Sequence, residues 1–264
     1  MSGTAPPGRT GFADHFSRDS AAYAAFRPRY PAELFTFIAG LPASRGLAWD
    51  VGTGSGQAVS MLARYFDRVA ASDASVAQLR ARTRAPGVYY LAERGEASAI
   101  AGGRVDQVTV AQAYHWLDHQ AFHAEVDRVI APGGALAVWC YGKLDATPDI
   151  EAALSAFYDG TVGPYWPAQR AHVERAYRHF EIPIDEVPAP RLSIDAQFTL
   201  AQLLGYVSSW SAVGRFIKAN GYDPVPELGR VLGSLWGNLD TPKRMVWPIS
   251  VRAGRWRGAG ARGR

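Results

Sequence analysis

The sequence predicts an α/β fold in which a mostly parallel sheet carries helices on both faces and a helical cap is inserted late in the chain. Three observations carry this reading. Short apolar runs at 47–51, 68–72, 88–92, 105–111 and 135–141 alternate with segments long enough for helices at 56–66, 74–84 and 118–130. A glycine-rich turn, Gly52-Thr53-Gly54-Ser55-Gly56, joins the first run to the first of those helices. After Tyr141 the rhythm gives way to two aromatic-rich helical blocks, 148–180 and 199–236.

A chain of 264 residues suits one such domain with an inserted cap better than two full domains, and 48% apolar residues can fill a sizeable core. Residues 1–11 read as a flexible leader, Pro/Gly-rich and without the apolar stretch of a signal peptide. The region 12–45 holds two amphipathic stretches broken by Pro28 and Pro31, which predict short helices at the N-terminal edge. Region 46–142 is the βαβ core, with right-handed crossovers. Pro132 and the pair Gly133–Gly134 stop its last helix and turn the chain into the fifth strand. Region 143–244 is the cap with a further strand near 190–195, and 245–255 is the last strand. Residues 256–264 are expected to be a flexible basic tail.

The formal net charge is +4, and the segment from Arg252 alone has five arginines and no acid. Without it the body is close to neutral, which argues against a nucleic-acid surface. Cys140 is the only cysteine, so no intrachain disulfide is possible and a reducing compartment is indicated. It lies in an apolar run and reads as a core residue. No stretch approaches the roughly 18 apolar residues of a membrane span, and the expected location is cytoplasmic.

The glycine turn bears the first chemical information. Glycines at alternate positions let a ligand lie against bare main chain. A dinucleotide fold wants G-x-G-x-x-G beside a pyrophosphate, whereas here the third glycine comes one residue early and Asp50 precedes the first by two. A carboxylate there repels phosphate and suits an ammonium group. S-adenosylmethionine (SAM) offers an ammonium and a sulfonium and no phosphate. Asp73 ends the second apolar run, where an acid can accept both hydroxyls of an adenosine ribose or instead cap the helix that starts near Ser75. Glu96 and Ala97 follow the third run, and Gln112, His115 and Trp116 follow the fourth, all at the sheet's carboxyl edge. Glu96 is read as a cofactor contact or as a solvated loop acid.

Taken together, DVGTGSGQ, ASDAS, the Glu-Ala pair, AQAYHWLD and EVDRVIAPGGALAVWCY resemble class I SAM-dependent methyltransferases. SAAYAAFRPRYP, YWPAQRAHVERAYRHF and MVWPISVRAGR resemble the branch that contains trans-aconitate methyltransferase-like and cantharidin-methylating enzymes. The resemblance spans about residues 12–255. It implies a Rossmann-like seven-stranded sheet with an antiparallel last strand and SAM as methyl donor. It also implies that Asp50, Gly52, Thr53, Gly54, Gly56, Asp73, Glu96, Ala97 and Gln112 line the cofactor.

The acceptor is expected to be a small organic molecule, most simply a carboxylic acid, which is already anionic and needs no base for O-methylation. His115 stands at the mouth of the crevice as a general base, an acceptor-orienting donor or a structural histidine. His119 and His123 read as surface residues of the next helix. Arg27 is a candidate clamp for the methionine carboxylate of SAM or for an acidic acceptor, and Arg170 for the same pocket. Tyr23, Tyr30, Tyr165, Trp166 and Trp210 are the aromatic candidates for the acceptor wall. Rival readings are an N- or O-methyltransferase of natural-product scaffolds with His115 as base, and a SAM-binding protein without catalysis. An NAD(P) oxidoreductase is disfavoured, because Lys143, Lys218 and Lys243 are the only lysines and none completes Tyr-x-x-x-Lys. An RNA methyltransferase is disfavoured by the lack of a basic stripe with interleaved aromatics. No metal site is expected.

Overall fold

The computed structural model describes residues 29–82 and 84–258. Tyr23, Arg27, the leader and most of the expected basic tail lie outside these residues. An eight-stranded sheet runs in the order β3-β2-β1-β4-β5-β8-β6, with β7 also paired to β8. The strands are β1 (Leu47–Val51), β2 (Arg68–Ser72), β3 (Val88–Leu91), β4 (Val105–Ala111), β5 (Ile130–Tyr141), β6 (Ile184–Glu186), β7 (Leu192–Phe198) and β8 (Lys243–Trp256). The first five are mutually parallel, and β8 is antiparallel to β5, β6 and β7. The single sixth strand anticipated near 190–195 is thus two pieces. Pro188 and Pro190 lie between them, and proline has no amide to donate to a ladder.

Helices α1 (Ala32–Ala39), α2 (Val59–Leu62), α3 (Val76–Arg80) and α4 (His119–Val129) flank the parallel half. Local chemistry starts them: Ser75 accepts from the Gln78 amide, and Asp118 accepts from the amides of Gln120 and Ala121. The period of two along β5 divides the core. Ala135, Ala137, Trp139 and Tyr141 face α1 and the cap, while Leu136, Val138 and Cys140 face α4. Trp49, Trp139 and Trp247 are among the largest fully buried side chains.

The cap comprises α5 (Pro148–Ser155), α6 (Arg170–Glu174), α7 (Leu200–Ser208), α8 (Ser211–Asn220) and α9 (Val225–Trp236). A capping box between Thr199 and Gln202 opens α7, and left-handed Gly221 closes α8. The block 148–180 is not one helix. It passes through a π turn at Ala156–Thr161 and a 3-10 turn at Gly163–Tyr165, because Gly160, Gly163, Pro164 and Pro167 interrupt it. The last strand runs over Lys243–Trp256 rather than 245–255, so it adds Trp256 from the expected tail. The Trp256 indole donates to Asp127 at 2.5 Å, so this part of the basic segment is structured. Among the described residues no helix is long and apolar enough to cross a membrane.

Candidate functional site

The strand order reverses between β1 and β4, and ligands of open α/β sheets sit at the carboxyl ends of strands at such a point. Asp50 near the end of β1 is buried there. It accepts from the Thr53 hydroxyl at 2.6 Å and, across the reversal, from the Thr109 hydroxyl of β4 at 2.7 Å. Burial raises its pKa to about 6, against the opposing pull of the two threonines, with a smaller push from the Asp73 charge.

Gly52, Gly54 and Gly56 all have positive φ, at 65°, 58° and 87°. A Cβ on Gly52 would come 2.5 Å from the Ala113 methyl, so backbone conformation and space both require glycine there. Asp73 joins the turn to the tip of β2. One oxygen accepts from the Gly54 amide at 2.8 Å and the other from the Ser75 amide at 2.7 Å. Bare main chain flanked by two acids at neighbouring strand ends fits a cationic nucleoside such as SAM. It does not favour a pyrophosphate.

Glu96 accepts from the Asp118 amide at 3.0 Å and the Arg94 Nε at 3.2 Å, tying the loop after β3 to the start of α4. It is neither a freely solvated acid nor without partners. Ala97 lies beside it on the surface in a bridge with Arg94. Gln112 is a non-glycine residue at φ 54°, and its side-chain amide donates to the Tyr141 carbonyl at 2.8 Å.

Gln112 also borders a cleft, open to solvent, between the sheet edge and the cap. Tyr141 and Lys143 continue the rim. His115, Trp116, Tyr158, Trp166, Tyr206 and Trp210 form much of its wall. Three charged side chains reach it. Lys143 is paired with Asp159 at 2.7 Å, and Glu151 accepts from the Ala146 amide at 2.6 Å. Arg170 is stacked over Trp166 at 5.0 Å and Tyr158 at 5.5 Å, and its Nε donates to the Tyr158 hydroxyl at 2.5 Å. Among the described residues Arg170 has no carboxylate partner.

His115 is tied through Nδ1 to the Tyr177 hydroxyl at 2.7 Å. Burial, with a further contribution from the charge of Arg170, pushes its pKa down to about 3. His119 and His123 are not surface residues. The His119 ring stacks on Tyr114 at 4.4 Å, and His123 Nε2 lies 2.8 Å from the Tyr114 hydroxyl. Cys140 is buried, and desolvation pushes its thiol up to about 12, as suits a core residue.

Trp166 and Trp210 line the cleft wall. Tyr165 does not. Its ring packs on Phe216 and its hydroxyl accepts from Asn220 at 2.8 Å, because successive residues of the 3-10 turn point in different directions. Tyr30 does not line the cleft either. It is buried edge-on against Trp139 at 5.6 Å, where α1 meets the sheet. Thr109, Lys143, Tyr158 and Tyr177 belong to the two sites and were not singled out for them from the sequence. No local signal marks Tyr177, which meets His115 across 62 residues of chain.

With this geometry in view, the chain belongs to the SAM-dependent methyltransferases. The family described as methyltransferase domain matches residues 49–138. A Dictyostelium discoideum protein assigned as a methyltransferase is 32% identical over 244 residues, covering 91% of this chain and 93% of that protein. Methyltransferase cfoB of Aspergillus candidus is 32% identical over 206 residues, covering 68% and 62% respectively. A solved structure described as a type II methyltransferase from Anaeromyxobacter dehalogenans is 40% identical with a TM-score of 0.81, covering 87% of this chain and 97% of that one.

Proposed function

We propose that this enzyme O-methylates the carboxylate of a small organic acid, within the trans-aconitate methyltransferase-like branch. The observation that carries the reading is Arg170, a guanidinium in the cleft wall without a carboxylate partner among the described residues. Two aromatic faces and the Tyr158 hydroxyl hold it by ring and Nε, which leaves its Nη donors for a planar anion. Asp50, Gly52, Thr53, Gly54, Gly56, Asp73, Glu96, Ala97 and Gln112 are assigned to SAM, with Asp73 toward the ribose and the Asp50 end toward the ammonium.

When bound, SAM supplies an electrophilic methyl group on a sulfonium, and a carboxylate can take it without a base. Arg170 then binds and orients the acid. Trp166, Trp210, Tyr158 and Trp116 exclude water and so strengthen that charge interaction. The depressed basicity of His115 fits an acceptor that arrives already ionised, and disfavours the reading in which His115 removes a proton.

A screen with isotopically labelled SAM over carboxylic acids, phenols and N-heterocycles tests this, with mass spectrometry locating the methyl group. The expected product is a methyl ester. Arg170→Leu should raise KM for the acid about 10- to 100-fold, as loss of a charge-assisted hydrogen bond would. Methylation of phenols or heterocycles with no ester from any acid overturns the proposal.

A further inference from the structure

We infer that His115 serves the acceptor as a neutral hydrogen-bond donor through Nε2–H, and that Tyr177 is the positioning residue that fixes this tautomer. The role toward the acceptor rests on the cleft being the acceptor site. The tautomer rests on the geometry alone.

The Tyr177 hydroxyl is fully buried, and the partner it meets is His115 Nδ1 at 2.7 Å. The phenol proton goes to Nδ1, because the reverse arrangement would bury an O–H with no acceptor among the described residues. Nδ1 is therefore the acceptor, and the single proton of a neutral imidazole sits on Nε2.

The surroundings hold both rings in their neutral forms. Facing His115 are Arg170 and His172 from α6 and His119 from α4, and each disfavours an imidazolium. Facing Tyr177 are Cys140 of β5, Tyr114 and Arg170. Burial keeps the phenol well above its ordinary pKa, so it remains a donor.

The backbone under Tyr177 is specialised for this contact. Ala176 and Tyr177 adopt φ of 53° and 57°, two successive left-handed conformations without glycine. Such conformations are disfavoured for residues with a Cβ and persist when neighbours over-determine them. Here Arg252 of β8 donates to the Tyr177 carbonyl at 3.1 Å and to the Phe180 carbonyl at 2.6 Å, while Glu186 holds its other side at 2.8 Å. The turn after α6 carries the phenol to the back of the His115 ring.

Long-range ¹⁵N–¹H correlation spectra of the native, ¹⁵N-histidine-labelled enzyme between about pH 5 and pH 8 test the assignment directly. The His115 signals are identified by their loss in His115→Gln. The expected pattern is an Nε2–H tautomer that does not titrate over that range. In Tyr177→Phe both tautomers should appear. An Nδ1–H tautomer or a titration midpoint within the range in the native enzyme overturns the inference, and so does a Tyr177→Phe spectrum identical to the native one. The native spectra decide the tautomer even should Tyr177→Phe fail to fold.

A kinetic arm uses whichever acceptor the screen identifies. His115→Gln retains an N–H donor and should keep kcat/KM within about fivefold, whereas His115→Ala should lose about 10- to 100-fold. Equal losses in the two variants would mean that the imidazole works as a base. A screen without esters would sink the carboxylate reading and leave the tautomer result standing, so the two failures can be told apart.

Discussion

Asp50 shows how one residue couples the cofactor edge to the stability of the fold. Its folded pKa of about 6 lies above the ordinary 3.8, so the folded state holds the proton more tightly than the unfolded chain. The stabilisation is complete below pH 3.8 and is lost as pH rises through about 6. The buried histidines act in the opposite sense, because depressed values at His115 and His123 cost stability as pH falls below 6.5. A variant pair isolates the acid from that background. Asp50→Asn should gain on the wild type by up to about 3 kcal/mol at pH values above 6, with the gain vanishing toward pH 4. Urea unfolding at both pH values checks this, and an Asn variant equally destabilised at both would refute it. Much of this corner was legible in the sequence. A strand, an acid and three closely spaced glycines lie within one short stretch, and their chemistry is set by main chain and spacing.

At the level of elements, the long-range ties were the illegible part. The first strand fell where its apolar run put it, since burial on both faces leaves a parallel strand little freedom. The aromatic block after α5 defeated a periodic reading, because proline and glycine bend it into short turns that aim Trp166 inward and Tyr165 away. Nothing near Tyr177 in the chain announces its left-handed backbone. The cause lies 75 residues on, in the guanidinium of Arg252. Arg252→Leu should therefore release the Tyr177 turn. We expect a loss of about 1–3 kcal/mol, from the part-buried carbonyls of Tyr177 and Phe180 left without their donor. Activity should fall while SAM binding is preserved. Calorimetry alongside isothermal titration with SAM would show this, and an undiminished transition temperature would contradict it.

For the whole molecule, the proposed function divides the labour between the glycine turn, assigned to the methyl donor, and the inserted helices, assigned to the acceptor. Any ligand that binds only the folded state stabilises it, by about 2.7 kcal/mol at a hundredfold excess over Kd. SAM and S-adenosylhomocysteine should accordingly raise the melting temperature and NAD should not. Gly52→Ala should abolish that shift, because the new methyl group meets Ala113. A response to NAD equal to that of SAM would count against the assignment of the turn.

The placement of β8 also bears on how the chain is made. It follows every other strand in sequence, yet it lies between β5 and the β6–β7 edge and pairs with all three. During synthesis the β1–β4 half can assemble on local βαβ contacts, while β5, β6 and β7 leave the ribosome with unpaired edges. Closure must await the last strand, which makes sheet completion a late, non-local and therefore slow event. Until β8 has emerged, the strand edges it will cover have no partner and are open to chaperones or to each other.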